Sequence, residues 1–213
     1  MSPEDFAARR PRLFHVTEED ALEGVARRGL LSASRLLDLF GYEGERRRAL
    51  ERTPRGDFVE LGDPRLGRAV LSDNRPLNLK ALAACLDGAS PEEWLAILNA
   101  RVFFWASETD ALRHLSARAN RGRRKVTLVV DALGLARRHG ARLELCPINS
   151  GATRRRPARR GPSIFTPLEA TSFEGWRRLR GGRDALREVA VRDAVEDLRD
   201  FLLEVRRAGR TAD

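Results

Sequence analysis

The sequence predicts an α+β fold, and three observations carry that expectation. Short runs rich in β-branched and aromatic residues, "RLFHV" at 12–16, "RVFFW" at 101–105 and "KVTLVV" at 125–130, read as strands. Between them lie amphipathic stretches that open with helix-start signals. No strand is followed by a GxGxxG or GxxxxGK turn, which argues against the standard dinucleotide and phosphate-loop folds.

In chain order, "RLFHV" is expected to run straight into a helix capped by Thr17, with Asp20 completing a shorter form of the capping box. Leu22, Val25 and Ala26 stripe that helix, and Gly29 can end it. A second helix is expected over "SASRLLDLF", 32–40. Residues 41–70 are charged and contain several glycines, so loops with one short helix are expected there. A helix should start near Leu77 and span "LNLKALAACL". "SPEEWLAILNA" has the clearest start in the chain: Ser90 as cap, Pro91 at the first helical position and Glu93 closing the box.

Strand 101–105 leads into the capped helix "SETDALRHLSARA". Strand 125–130 leads through Gly140, by a turn or short helix, to the strand "RLELC". Residues 147–163, "PINSGATRRRPARRGPS", lack periodicity and read as a long loop, a kind that is usually functional or disordered. A short helix near Trp176 precedes the strand "DALREVAV", 184–191. The chain is expected to close on a helix, "AVEDLRDFLLEVRRAG", striped by Val195, Leu198, Phe201, Leu202 and Val205.

A chain of 213 residues can bury one sizeable core, and no Pro/Gly/Ser-rich linker divides it, so residues 1–213 are expected to form a single domain. No apolar run approaches a membrane span, and the N-terminus lacks the apolar core of a signal peptide. A cytoplasmic setting without a membrane partner is therefore expected. Cys85 and Cys146 stand far apart, and with three histidines they suggest neither a disulfide nor a metal site. The formal net charge is +9, and only Lys80 and Lys125 are lysines, so nearly all the positive charge is arginine. Such a balance points to polyanions: nucleic acid first, phosphate-bearing cofactors second.

Glu188 is the residue that most needs explaining. It stands on a strand face with Leu186 and Ala190, and a carboxylate there is costly to desolvate unless something pairs with it. An edge position facing water, or an ion pair with an arginine, would account for it without any function. His15 shares a strand face with Leu13, while Phe14 and Val16 point the other way. A core histidine bonded to a backbone carbonyl is the plain alternative there. Phe103 and Trp105 should face one side of the sheet and Phe104 the other, with one ring free to stack on a planar ligand. Arg154, Arg155, Arg156, Arg159 and Arg160 crowd the loop and either form a solvated surface or face an anion. His114 and His139 are expected at the surface or at helix ends.

Taken together and in order, "LFHVT…GLLS", "VFFW" and "ALREVAV" resemble the DarT family of bacterial ADP-ribosyltransferase toxins, which modify bases in DNA, and a little-characterised bacterial domain family related to it. The match covers most of residues 12–192 by order and spacing. The resemblance implies an ADP-ribosyltransferase-like split β-sheet core with peripheral helices and NAD as substrate, without a metal. It implies an NAD site that includes His15, Thr17, Gly29, Leu30, Phe104 and Trp105, and Glu188 as the catalytic acid. It also implies a catalytic arginine in the first third, matched to Arg75 and second to Arg68. Nucleic-acid contact would fall to Asn149, Arg154, Arg155, Arg156, Arg159 and Arg160, and a toxin of this kind implies an antitoxin or a macrodomain hydrolase as partner. Residues 76–100 read as an insertion relative to DarT, and "INSGATRRRPARRG" does not match the DarT substrate-recognition loop whose place it takes. Two alternatives stay open: a non-catalytic nucleic-acid-binding module on a degenerate fold of this type, and a base glycosidase using the same cleft.

Overall fold

The computed structural model describes residues 1–72, 74, 77–120, 122–153 and 157–207. Helix α1 (Pro3–Arg9), capped by Ser2, precedes strand β1 (Arg12–Glu18). That strand is two residues longer than the sequence suggests. Thr17 therefore pairs with Val126 in a ladder instead of capping a helix, and α2 (Leu22–Arg28) starts after a single 3-10 turn. The next elements are β2 (Leu30–Leu31), α3 (Ala33–Leu39) with Ser32 as its cap, and α4 (Gly44–Glu51). A hairpin of β3 (Val59–Asp63) and β4 (Gly67–Leu71) then follows, where loops were expected. Its turn is legible in hindsight: the Asp63 carboxylate accepts from the backbone of Arg65 and Leu66, and Gly67 supplies the positive φ.

Helices α5 (Leu79–Cys85) and α6 (Pro91–Asn99) form as expected, the second with the full Ser90–Glu93 capping box. Then come β5 (Arg101–Trp105), α7 (Glu108–Leu115), β6 (Lys125–Asp131), α8 (Ala132–His139) and β7 (Leu143–Cys146). After the long loop the chain adds β8 (Thr166–Pro167), α9 (Phe173–Arg178), β9 (Glu188–Arg192), β10 (Ala194–Val195) and β11 (Leu202–Arg207). Strand β9 begins at Glu188 itself, so residues 184–187 are not part of it. The expected closing helix is replaced by β10, a 3-10 turn and β11. Of its apolar stripe Val195, Leu198 and Phe201 are buried ahead of β11, while Leu202 and Val205 are half-buried on β11, which pairs along the free edge of β6, whose residues 125–130 are all buried and whose backbone groups need partners.

Seven strands form one sheet in the order β11-β6-β1-β5-β9-β7-β8, every neighbouring pair antiparallel. One face carries the main core. Phe6 of α1 and Leu135 of α8 pack there on alternate strand residues Leu13, Val102, Phe104, Leu128, Val130, Val189 and Val191. The other face is covered in two separate places. Ala111 of α7 sits over Phe14 and Val129, and Leu82 and Trp94 of α5 and α6 sit with Cys146 and Ala190. Where these caps meet lie the half-buried Phe103 and Trp105 and the buried Glu188.

The same region is where the sheet is weakest. Strands β1 and β5 share a single pair, Phe14 with Trp105, and then part. The chain returns near this point. Gly29 ends α2 at φ 71°, and a Cβ there would lie 2.1 Å from Val195 O and 2.5 Å from Glu196 O. Gly29→Ala combines a left-handed backbone with a clash against backbone that cannot yield. It is expected to lower stability by at least about 2 kcal/mol, read as a lower urea midpoint at unchanged m-value.

Candidate active site

A cleft of about 380 Å³ opens at the parting of β1 and β5, a volume typical of small-molecule sites. His15, Thr17, Gly29, Leu30, Phe104, Trp105, Asn149 and Glu188 all line it, so chain positions as distant as 15 and 188 meet in one place. Glu188 is the one carboxylate among the described lining residues. Arg28, Arg55, Arg68 and Arg101 line it too.

Glu188 is 5 % exposed and lies on an interior strand, with Trp105 of β5 and Cys146 of β7 as its cross-strand partners. Neither plain account of it holds: it is not at an edge facing water, and among the described residues it forms no ion pair. Among the described residues its hydrogen bonds come from one residue. Ser150 donates its backbone N–H (3.1 Å) and its hydroxyl (2.7 Å) to Oε2. Oε1 has no hydrogen-bond partner among the described residues. Burial pushes the carboxyl up to about 7, with the nearby Asp110 charge adding to the rise. The two Ser150 bonds and the Arg160 charge hold it from rising further.

His15 is half-buried at the seam, and its Nδ1 lies 2.8 Å from Phe103 O. A carbonyl only accepts, so Nδ1 carries the hydrogen. Burial holds the imidazole below its usual pKa, so it is neutral near pH 7 and Nε2 is left as an acceptor. The core-histidine account is thus half right: the ring bonds a backbone carbonyl, but in a cleft wall. The ring also lies 5.7 Å from Phe104, whose side chain is otherwise in the main core. Phe104 therefore supports His15 from the core, with little of its own ring exposed to the cleft. Trp105 and Phe103, both half-buried, present the aromatic surface, on the faces the alternation predicts.

Several residues depart from their expected roles. Arg160 was expected to grip phosphates, but it is 3 % exposed and donates to Ser150 O (2.9 Å), Ala152 O (2.9 Å) and Ala158 O (3.1 Å). Arg159 is exposed beside Asp87, at 3.3 Å. Arg75, Arg154, Arg155 and Arg156 lie outside the described residues. Arg68 is exposed at the cleft and pairs with Glu60. His114 is at a helix end as expected, in the last turn of α7, and it lines the cleft with its ring 5.5 Å from Trp105; desolvation pushes it down to about 4. His139, the last residue of α8 and so also at a helix end as expected, is buried, bonding Asp197 (2.7 Å) and accepting from Arg142 (2.8 Å). Both cysteines are buried and free.

Sequence reasoning missed Arg55, which is buried, lines the cleft and donates to Ser72 O (2.9 Å) and Asn99 Oδ1 (3.0 Å). It also missed Ser150. An "NSG" triplet inside an arginine-rich loop gives no periodic cue, and only the fold brings it to Glu188.

A family model described as "Family of unknown function (DUF7002)" matches residues 11–202. No curated protein and no solved structure matches the chain.

The raised carboxyl has a measurable consequence. Because the folded protein holds the Glu188 proton more tightly than the unfolded chain does, the acid costs nothing below its ordinary value of 4.5. It destabilises progressively as pH rises from there to about 7. Glu188→Gln, which keeps an acceptor for Ser150 and removes the charge, is expected to melt with wild type at pH 4. Above pH 7 it should be more stable by on the order of a few kcal/mol, checked by thermal melts across that range.

Proposed function

The chain belongs to the DUF7002 family, a family of unknown function, and we propose that it is a mono-ADP-ribosyltransferase that consumes NAD and modifies a base of nucleic acid, DNA before RNA. The observation that carries this reading is the meeting of His15 and Glu188 in one cleft at the parting of β1 and β5. The parting of β1 and β5 within the one sheet is compatible with the split sheet that the DarT resemblance implies.

The described groups suit an anionic dinucleotide. Of the cleft arginines, Arg101 is paired with Glu144 and the buried Arg55 donates within the fold, which leaves Arg28 and the exposed Arg68 as the cations suited to a diphosphate. A neutral imidazole with Nε2 open suits a ribose hydroxyl, and the Trp105 and Phe103 rings suit a planar heterocycle. When bound, NAD supplies a glycosidic bond whose cleavage releases nicotinamide and leaves positive charge on the ribose carbon. Glu188, fixed through Oε2 and open at Oε1, stabilises that charge across a water-poor cleft. A carboxyl that titrates near 7 is also half-ionised at neutral pH, the range in which a general base works best. In the balanced step the ribose carbon gives up nicotinamide and bonds a base nitrogen, whose proton passes to Glu188.

A binding module without catalysis has no use for an unpaired buried carboxylate, which costs stability at neutral pH. A base glycosidase would share the acid but not the need for NAD. The acceptor is read from the net charge and the DarT resemblance, with Arg159 the one described loop arginine left exposed. A base inside a duplex would have to be single-stranded or flipped out.

Incubation with NAD and single- and double-stranded oligonucleotides of DNA and RNA, followed by mass spectrometry, tests this. Wild type should release nicotinamide and add one ADP-ribose per modified base. Glu188→Ala should lower the rate by about 10²-fold or more, with the fold intact by circular dichroism. A wild-type protein that leaves NAD unconsumed and every oligonucleotide unlabelled would overturn the reading.

A further inference from the structure

The long loop after β7 was expected to face nucleic acid, yet three polar residues of its described part turn inward. Ser150, Thr153 and Arg160 are all buried. Thr153 Oγ1 accepts from Asn78 N (2.6 Å) and donates to Asn78 O (3.3 Å), fastening the loop to the start of α5. Arg160 N donates to Cys85 O (2.9 Å) and Asp87 N donates to Arg160 O (2.7 Å), fastening it to the far end of the same helix. Gly161 sits so close that a Cβ there would lie 1.9 Å from Asp87 O. From this double anchorage the Arg160 guanidinium reaches back across its own loop to Ser150 O and Ala152 O, the carbonyls flanking the turn that presents Ser150 to Glu188.

We propose that Arg160 is a positioning residue for Glu188, acting through Ser150: by binding the Ser150 and Ala152 carbonyls it holds the Ser150 N–H and hydroxyl on Oε2 and leaves Oε1 as the working oxygen. This rests on the transferase reading for its catalytic meaning, but not for its geometry. A buried guanidinium is costly unless its donors are used, and here they are used on backbone carbonyls. That is the signature of a loop-shaping arginine, not of a phosphate ligand. The groups that bear on the carboxylate are Ser150 and Arg160 from the loop, Asp110 from α7 and Cys146 from β7.

The test does not need turnover. Thermal melts of paired proteins, with Glu188 and with Glu188→Gln, locate the titration of Glu188 in the folded state. They are repeated in Ser150→Ala, Arg160→Lys and Arg159→Lys backgrounds. Ser150→Ala and Arg160→Lys should each move the midpoint up by about one pH unit, since both weaken the bonds that favour the ionised form. Arg159→Lys should leave it in place. In the NAD assay the same two variants should lower kcat about tenfold at unchanged KM for NAD, and the pH profile should move with the melts. The proposal falls if Arg160→Lys melts cooperatively with the midpoint unmoved. It also falls if Arg160→Lys fails to fold while Ser150→Ala folds, because Arg160 then holds the fold and not the carboxylate. If the midpoints move while wild type releases no nicotinamide, the positioning role stands and the transferase reading is the one that fails.

Discussion

A buried carboxylate with no ion pair among the described residues is the constraint on which the rest of this molecule turns. In a low-dielectric interior such an acid resists ionisation, and among the described residues the compensation that reaches Glu188 is a pair of hydrogen bonds from one serine and the charge of Arg160. Those bonds exist because the loop after β7 bends back under β9. The loop bends there because α5 grips it at both ends and Arg160 ties its carbonyls together. Helix α5, which lies in the stretch that reads as an insertion by comparison with DarT, thus becomes the brace of the site.

The cleft follows from how the sheet is covered. One face packs continuously against α1 and α8, but the other is capped at two ends, with the seam between β1 and β5 left between them. At that seam backbone pairing stops after one rung and the His15 ring takes over, bonding Phe103 O. Opening a sheet in this way exposes backbone groups that want partners, and His15 meets that demand while keeping its second nitrogen for the cleft. The positive charge needs a similar reading by position. Arg47 with Asp38 and Glu51, Arg101 with Glu144, and Arg187 with Asp110 are spent inside the protein, so a net charge of +9 overstates what is offered to a polyanion.

Much of the fold could be read from local cues. Ser90–Pro91–Glu93, the β-branched run at 125–130 and Gly29 as a helix stop are short-range chemistry, and short-range chemistry is what a sequence displays. The closing stretch was misread because its apolar spacing satisfies a helix as well as it satisfies an edge strand, and the open flank of β6 decided between them. Thr17 has a cap's chemistry but a strand's position, since β1 runs on along β6 to Glu18. In the site, Glu188 and His15 stood out because each breaks the pattern of its strand. Ser150, Arg55 and the inward turn of Arg160 had no such contrast, for their meaning lies in contacts with residues 10 to 44 positions away.

Residues 15, 105, 150 and 188 come from the start, the middle and the end of the chain, and the loop that seats Glu188 needs α5 already in place. Contacts this far apart in sequence are bought with loop-closure entropy and are slow to form. The acid can therefore be desolvated only late in folding, after β9 has entered the sheet and the α5 brace has met its loop. A nascent or partly folded chain would carry an ordinary, hydrated glutamate and no assembled site, and no fragment lacking either terminal portion could hold one.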